Sequence, residues 1–432
     1  MTTTAIDSVF AWEALDSRGR PTVAAAVTLK GGATGRAVVP SGASTGGHEA
    51  VELRDGGERY GGYGVLNAVA SANGPLADAV KGMDALDRVA VDTAMEQADG
   101  EPALGRLGAN AALAISLAVT IAAADAQGIP LWQALDGGDE PLIPMPMVNI
   151  VSGGAHARGA LDIQDVLAIP VGASSFAEAM EWIARTRQGT ADELDKRGGS
   201  SALVADEGGL AGALGSNEAA LELVVKGIER AGLTPGDDVS LALDLAANQM
   251  FKDGGYRLDV EDRTLDSDEW VQTIARWCAE YPISSLEDIV AEDEWEAWRA
   301  ASPIVGEGRQ LLGDDLFATN SGRLERGIAE HVANAVLVKV NQAGTVSRAE
   351  RVVKQAHAAG YSTVVSARSG DTEDGWLADL AIGWRAEQIK VGSTMRSERT
   401  AKWNRVLEIE ARAGSKARFA GAGSLSPSPK RA

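Results

Sequence analysis

Short apolar runs that end in a charged side chain recur through the second half of this chain. Leu203-Val204-Ala205 leads into Asp206-Glu207, Leu241-Ala242-Leu243 into Asp244, Ile283 to Leu286 into Glu287-Asp288, and Leu311-Leu312-Gly313 into Asp314-Asp315. Two later runs end in cations: Ala335 to Val338 delivers Lys339, and Gln388-Ile389 delivers Lys390. Runs of this length read as buried strands, and helical stretches such as Ser216 to Ala231 and Val346 to Ala359 lie between them. Strand alternating with helix predicts parallel strands joined by crossover helices. In a barrel built that way the strand C-termini converge on one mouth, so these acids and lysines are expected to meet although they lie far apart in sequence.

Glycine, acid and proline cluster at Asp136-Gly137-Gly138-Asp139-Glu140-Pro141, where the chain is expected to divide. Before it, Thr22 to Leu29 alternates like a half-buried strand and the later part reads as helices, an α+β unit over residues 1–136. The predicted fold class is α/β, with a modified (βα)8 barrel over residues 140–420 capped by that unit. A mobile tail rich in Gly, Ser and Pro follows over residues 421–432. The 432 residues are ample for a barrel of roughly 250 residues and a further domain. Leu107 to Ala124 carries no charge and is about long enough to span a bilayer. Gly108, Asn110, Ser116 and Thr120 dilute it, however, and Leu113, Leu117 and Ile121 fall at helical spacing, which predicts a buried helix.

Hydrophobic residues make up 45% and charged residues 23%, the proportions of a globular domain rather than a disordered one. A formal net charge of -21 argues against nucleic acid or an anionic membrane as partner, and an anionic substrate would need local cations. Cys278 is the only cysteine, which rules out an intrachain disulfide and fits a reducing compartment. Met1 to Asp7 has no basic segment followed by an apolar core, so a cytoplasmic location is expected.

Asp244, Glu287 and Asp314 are each the first acid after an apolar run, and three carboxylates with no cysteine or histidine nearby suit Mg²⁺ rather than zinc. Ordinary helix N-caps are the competing explanation for any one of them. Lys339 follows a run too apolar for a solvated edge, and burial near a second lysine and a cation would disfavour its charged form and suit it to act as a base. Lys390 would supply the second charge and pair with a substrate carboxylate. On spacing alone, a structural ion pair to one of the acids stands level with these roles. Among the loops, Ser41-Gly42-Ala43-Ser44-Thr45-Gly46-Gly47 is hydroxyl-rich and suited to a phosphate or a metal shell. Ser152-Gly153-Gly154-Ala155-His156 is similar, and Arg368-Ser369-Gly370 offers a guanidinium and a hydroxyl to a phosphate.

These residues resemble enolases along nearly the whole chain. The resemblance runs through Asp16-Ser17-Arg18-Gly19, Val39 to Gly46, Gly153-Gly154-Ala155-His156, Asp206-Glu207-Gly208-Gly209, Ala291-Glu292-Asp293, Lys339-Val340-Asn341-Gln342 and Arg396-Ser397-Glu398-Arg399. Enolases dehydrate 2-phosphoglycerate to phosphoenolpyruvate with an N-terminal α+β domain and a modified barrel, usually as homodimers or larger homo-oligomers. The resemblance implies two Mg²⁺ per site, the first on Asp244, Glu287 and Asp314, the second ligated by Ser44 and shared with the phosphate. It further implies Lys339 as the base that takes the C2 proton and Lys390 as a partner of the carboxylate. Arg368 and Ser369 would hold the phosphate, His156 would close over it, and Glu207 would be the acid for the C3 hydroxyl.

The chain departs from the family pattern at the leaving-group end. Gln164-Asp165 stands where enolases carry glutamate after the glutamine, Ser366-Ala367-Arg368-Ser369-Gly370 where they read Ser-His-Arg-Ser-Gly, and Ile289 where proline is usual. Asp165 and Ala367 are both smaller, so a roomier pocket, less able to protonate hydroxide, is expected. That favours a diverged enzyme on a small phospho-carboxylate, with room for a phosphonate co-substrate. The offshoot that makes carboxyphosphonoenolpyruvate in phosphinate natural-product pathways is of this kind. The alternatives are an ordinary phosphopyruvate hydratase and a non-catalytic binding protein descended from an enolase.

Overall fold

The computed structural model describes residues 3–42 and 46–425. Near the N-terminus, β1 (Ile6–Leu15), β2 (Pro21–Leu29) and β3 (Thr34–Val38) form an antiparallel sheet. The uncharged run predicted to be a buried helix forms one, Ala109–Gln127, and 83% of its most apolar window is buried in the protein. Alanine explains the close fit against the sheet. At Gly35 an added Cβ would stand 2.0 Å from the carbonyl oxygen of Ala118 and 2.4 Å from the amide of Ala122, so only glycine admits the helix backbone there.

Eight further strands close into a barrel: β4 (Met145–Ser152), β5 (Asp165–Ile169), β6 (Ser240–Asp244), β7 (Ile283–Glu287), β8 (Gln310–Gly313), β9 (Ala335–Val338), β10 (Ser362–Ser366) and β11 (Gln388–Gly392). Each neighbours the next in chain order, and β11 pairs with β4. The helices expected at Ser216–Ala231 and Val346–Ala359 are found at Asn217–Arg230 and Val346–Ala358, capped by the side chains of Ser216 and Thr345.

Two expectations about the strands are corrected. β5 runs antiparallel to both β4 and β6, because β4 and β5 are joined by a loop and not by a crossover helix. The run Leu203 to Ala205 is no strand: Val204 makes an isolated bridge to Leu210, and Leu203 is 60% exposed. The apolar stretch is too short, and too exposed at Leu203, to join the barrel wall.

Inward-facing side chains alternate along each strand and stack in layers. At one end Gln310 donates to Gln388 (2.8 Å) and accepts from Ser285 (2.8 Å). The middle is filled by Met145, Met147, Leu167, Ile169, Ala242, Leu312, Ala335, Leu337 and Val364. Two residues further along the respective strands come Asp244, Asp314, Lys339 and Ser366, which the period of two delivers to the opposite end, and Lys390, two residues beyond Gln388, rises toward them.

Candidate active site

Register brings the charged layer together. Glu287 lies opposite Asp244 across β7 and β6, Asp244 opposite Asp165 across β6 and β5, and Lys390 opposite Ser366 across β11 and β10. Asp244 and Glu287 are each 2% exposed and Asp314 5%. The Lys390 ammonium donates to Asp244 (2.8 Å) and Glu287 (2.7 Å), and the Lys339 ammonium pairs with Asp314. Gln164 donates to Asp244 at 3.0 Å and Gln342 to Asp314 at 3.0 Å. His156, Gln164, Glu207, Asp244, Lys339, Ser366, Ala367, Arg368, Ser369 and Lys390 line one cavity.

Asp288, the acid that follows Glu287, has a different duty. With φ of 46°, it turns its carboxylate back to accept from the backbone amides of Asp314 (3.0 Å) and Asp315 (2.8 Å). It therefore fixes the turn that aims Asp314 inward. Asp315 is pushed up to about 7 by burial and by the charge of Asp314.

Burial does lower Lys339, but the carboxylate of Asp314 outweighs it and leaves the ammonium favoured above its ordinary value. For Lys390, Asp244 and Glu287 likewise overcome burial and raise it well above the ordinary value. The structural ion pairs and the cation site thus involve the same carboxylates. A divalent cation fits this donor set on one independent observation: Glu287 Oε1 is buried without a hydrogen-bond partner, and a hard cation takes such an oxygen. Asp244, Glu287 and Asp314 are the residues that would hold it.

At the side of β5, His156 Nδ1 lies 2.9 Å from Asp165 and its Nε2 3.8 Å from Glu207. Burial would lower the imidazole, yet Asp165 and Glu207 lift it to about 9, so it is an imidazolium at neutral pH. Asp165 is fully buried and also accepts from Asn149. The His156 ring pairs with Asp165, and the cavity beside it holds about 310 Å³ of space between atoms. Glu207 arrives on a loop and not on a strand end, anchored where the amide of Ser393 donates to its carbonyl at 2.9 Å.

Arg368 is 4% exposed, and burial against its charge is more than met by Glu49, to which it donates at 2.9 Å; it donates also to Asn341 at 2.9 Å. Ser369 Oγ lies 3.5 Å from Arg18, which itself reaches the carbonyls of Ser41 (3.0 Å) and Gly42 (3.2 Å). Ser44, the expected second metal ligand, lies outside the described residues. Glu49, Asn341 and Gln342 join the site without having been singled out. Asn341 and Gln342 sat unread in the motif that begins at Lys339, whereas nothing in the pattern around Glu49 marks it.

Residues 6–135 match the family model described as enolase, N-terminal domain, and residues 140–428 that described as enolase, C-terminal TIM barrel domain. Together they span the chain, which belongs to the enolase family.

Proposed function

We propose that this chain is a magnesium-dependent enzyme that removes the proton beside the carboxylate of a 2-phosphoglycerate- or phosphoenolpyruvate-like acid, with altered chemistry at the leaving-group end. One observation carries the reading: two lysines interleave with three buried carboxylates at a single barrel mouth, facing an arginine and a serine across a small cavity. Such a proton is very weakly acidic, and bound Mg²⁺ would supply the concentrated positive charge that brings its removal within reach. Lys339 takes the proton once its ammonium is released from Asp314 and deprotonated. Lys390 faces the carboxylate, and Arg368 and Ser369 grip the phosphate, with His156 beside them. Glu207 is the acid for the departing group. Ser44 is assigned to a second Mg²⁺ by family resemblance.

The departures support a role outside glycolysis. Asp165 engages His156 rather than the space beside Glu207, and Ala367 brings no hydrogen-bonding group to that wall. An enzyme of the kind that forms carboxyphosphonoenolpyruvate, which enolises a small phospho-carboxylate and takes a second, phosphonate-bearing substrate, suits such a site. Ordinary phosphopyruvate hydratase is the second reading, favoured by Glu207 and Lys339 lining the same cavity. Purified protein with Mg²⁺ and 2-phosphoglycerate should dehydrate it slowly or not at all, and Ala367→His with Asp165→Glu should raise that rate. Dehydration at ordinary enolase rates by the unaltered chain would overturn the proposal in favour of the second reading.

A further inference from the structure

The sequence motif Arg396-Ser397-Glu398-Arg399 does not itself line the cavity and has had no task so far. It opens the helix Ser397–Ala413, which follows β11. Arg399 is completely buried and spends its guanidinium on backbone: it donates to the carbonyls of Arg368 (2.7 Å), Ser369 (2.6 Å) and Val391 (3.0 Å). One turn further along the same helix, Lys402, 1% exposed, donates to the Asp371 carboxylate at 2.5 Å and to the carbonyl of Thr372. Asp371 in turn accepts from the backbone amides of Arg368 (3.2 Å) and Thr372 (2.7 Å). Beside the hydrogen bonds that tie Gly370 to Ser41 (2.9 and 2.7 Å) and the Ser17 amide to the Asp371 carbonyl (2.9 Å), the backbone of Arg368 to Thr372 is thus held by two cations on one helix face, three residues apart.

The backbone around Arg399 is built to admit it. Gly392 has φ of 110°, and a Cβ there would stand 3.0 Å from Arg399 Cδ and 2.8 Å from the Glu207 carbonyl oxygen. Arg399 Nη1 also lies 4.0 Å from Glu207 Oε1, so one side chain borders both the loop of Arg368 and the loop of Glu207.

We infer that Arg399, seconded by Lys402, is a positioning residue that sets the Arg368–Ser369 segment at the distance a substrate phosphate requires. The inference rests on the reading that Arg368 and Ser369 grip the phosphate. A planar guanidinium with fixed donors can hold three carbonyls at once, whereas a lysine ammonium at that place reaches fewer and leaves buried carbonyls unmet. The consequence falls on phosphate binding, because two of the three carbonyls that Arg399 ties down belong to the residues whose side chains face the phosphate.

The test measures phosphoenolpyruvate binding to the full chain with Mg²⁺, by calorimetry, in Arg399→Lys, Arg368→Gln, the two combined, and an Asp371→Asn/Lys402→Met variant that removes both charges of that pair. Arg399→Lys should bind about tenfold more weakly, as the loss of charge-assisted hydrogen bonds implies. That loss should nearly vanish in the Arg368→Gln background, because a positioning residue acts through what it positions. Wild-type affinity in Arg399→Lys, or an undiminished loss in the Arg368→Gln background, would overturn the inference. Should Arg399→Lys fail to fold, Asp371→Asn/Lys402→Met carries the test: several-fold weaker binding supports it, and unchanged binding overturns it. An Arg368→Gln variant that binds phosphoenolpyruvate normally would instead remove the phosphate-grip reading itself, whatever Arg399 does.

Discussion

Replacing Lys390 by methionine separates the structural use of the charged layer from its use as a cation site. The ammonium lies 2.8 Å from Asp244 and 2.7 Å from Glu287, both 2% exposed, so the replacement leaves two buried carboxylates facing each other without a counter-charge. Removing one partner of a buried ion pair costs about 3–5 kcal/mol. At on the order of 1 °C per kcal/mol for a chain of 432 residues, the melting temperature in EDTA should fall by roughly 3–5 °C. Magnesium should stabilise the wild-type chain by about 2.7 kcal/mol when present at a hundred times its Kd. It should stabilise Lys390→Met by more, because no ammonium already neutralises the same carboxylates, and the gap between the two proteins should narrow. Calorimetric melts of both proteins in EDTA and in saturating Mg²⁺ measure all four numbers. A gap of equal size with and without the metal, or no metal effect on wild type, would refute the claim that a divalent cation and Lys390 share these carboxylates.

Two further outcomes follow from the same geometry. Lys339→Ala should slow exchange of the substrate C2 hydrogen with deuterated solvent by about 10²–10⁴-fold, the usual worth of a positioned base; exchange at the wild-type rate would take Lys339 out of the reaction. At Asp371, burial alone would raise the carboxyl, but Lys402 and Arg399 override it and hold it below its ordinary value. The stabilisation is therefore complete above the unfolded carboxyl pKa of about 3.9 and is lost as the pH falls through the lower folded value. Urea melts should find Asp371→Asn most costly near neutrality and progressively less so in acid, and a cost independent of pH would contradict this.

Much of the charged layer was legible because strand side chains alternate. Once Leu241 to Leu243 or Ala335 to Val338 is read as a buried strand, the following Asp244 or Lys339 must continue the inward row, and it does. The same rule separates Asp314 from Asp288, which sequence alone leaves as similar acids after similar runs; backbone geometry turns Asp288 to face amides. Arg399 stood in a family motif, but its role left no trace in the pattern, because its partners are carbonyls and every residue owns one. Glu49 was hidden for another reason: it meets Arg368 across more than three hundred positions, at a loop without periodicity. The pairing of lysines with the acids was equally out of reach, since spacing gives convergence but not which charges touch.

The reversed direction of β5 accounts for the site's other half. In an all-parallel barrel Asp165 would begin its strand at the end remote from the charged layer. Running antiparallel, β5 begins at the mouth, opposite Asp244, and its first residue stands under the loop that carries His156. A side chain one methylene shorter than glutamate still finds its partner there, because the loop brings the ring to it. The resulting imidazolium is held by Asp165 and Glu207 against burial, with its pKa raised to about 9. A group whose folded pKa exceeds its unfolded value of about 6.5 stabilises the fold fully below that pH, and the contribution is lost as the pH rises through 9. With only 4 histidines in the chain, the His156 ring protons are resolvable by NMR, assigned by a His156→Gln variant. They should titrate near 9 in the wild type and at a lower pH in Asp165→Asn, which keeps the shape but removes the charge. A wild-type midpoint near 6.5, or one unmoved by Asp165→Asn, would mean that Asp165 does not hold the ring and that its place at the mouth has another purpose.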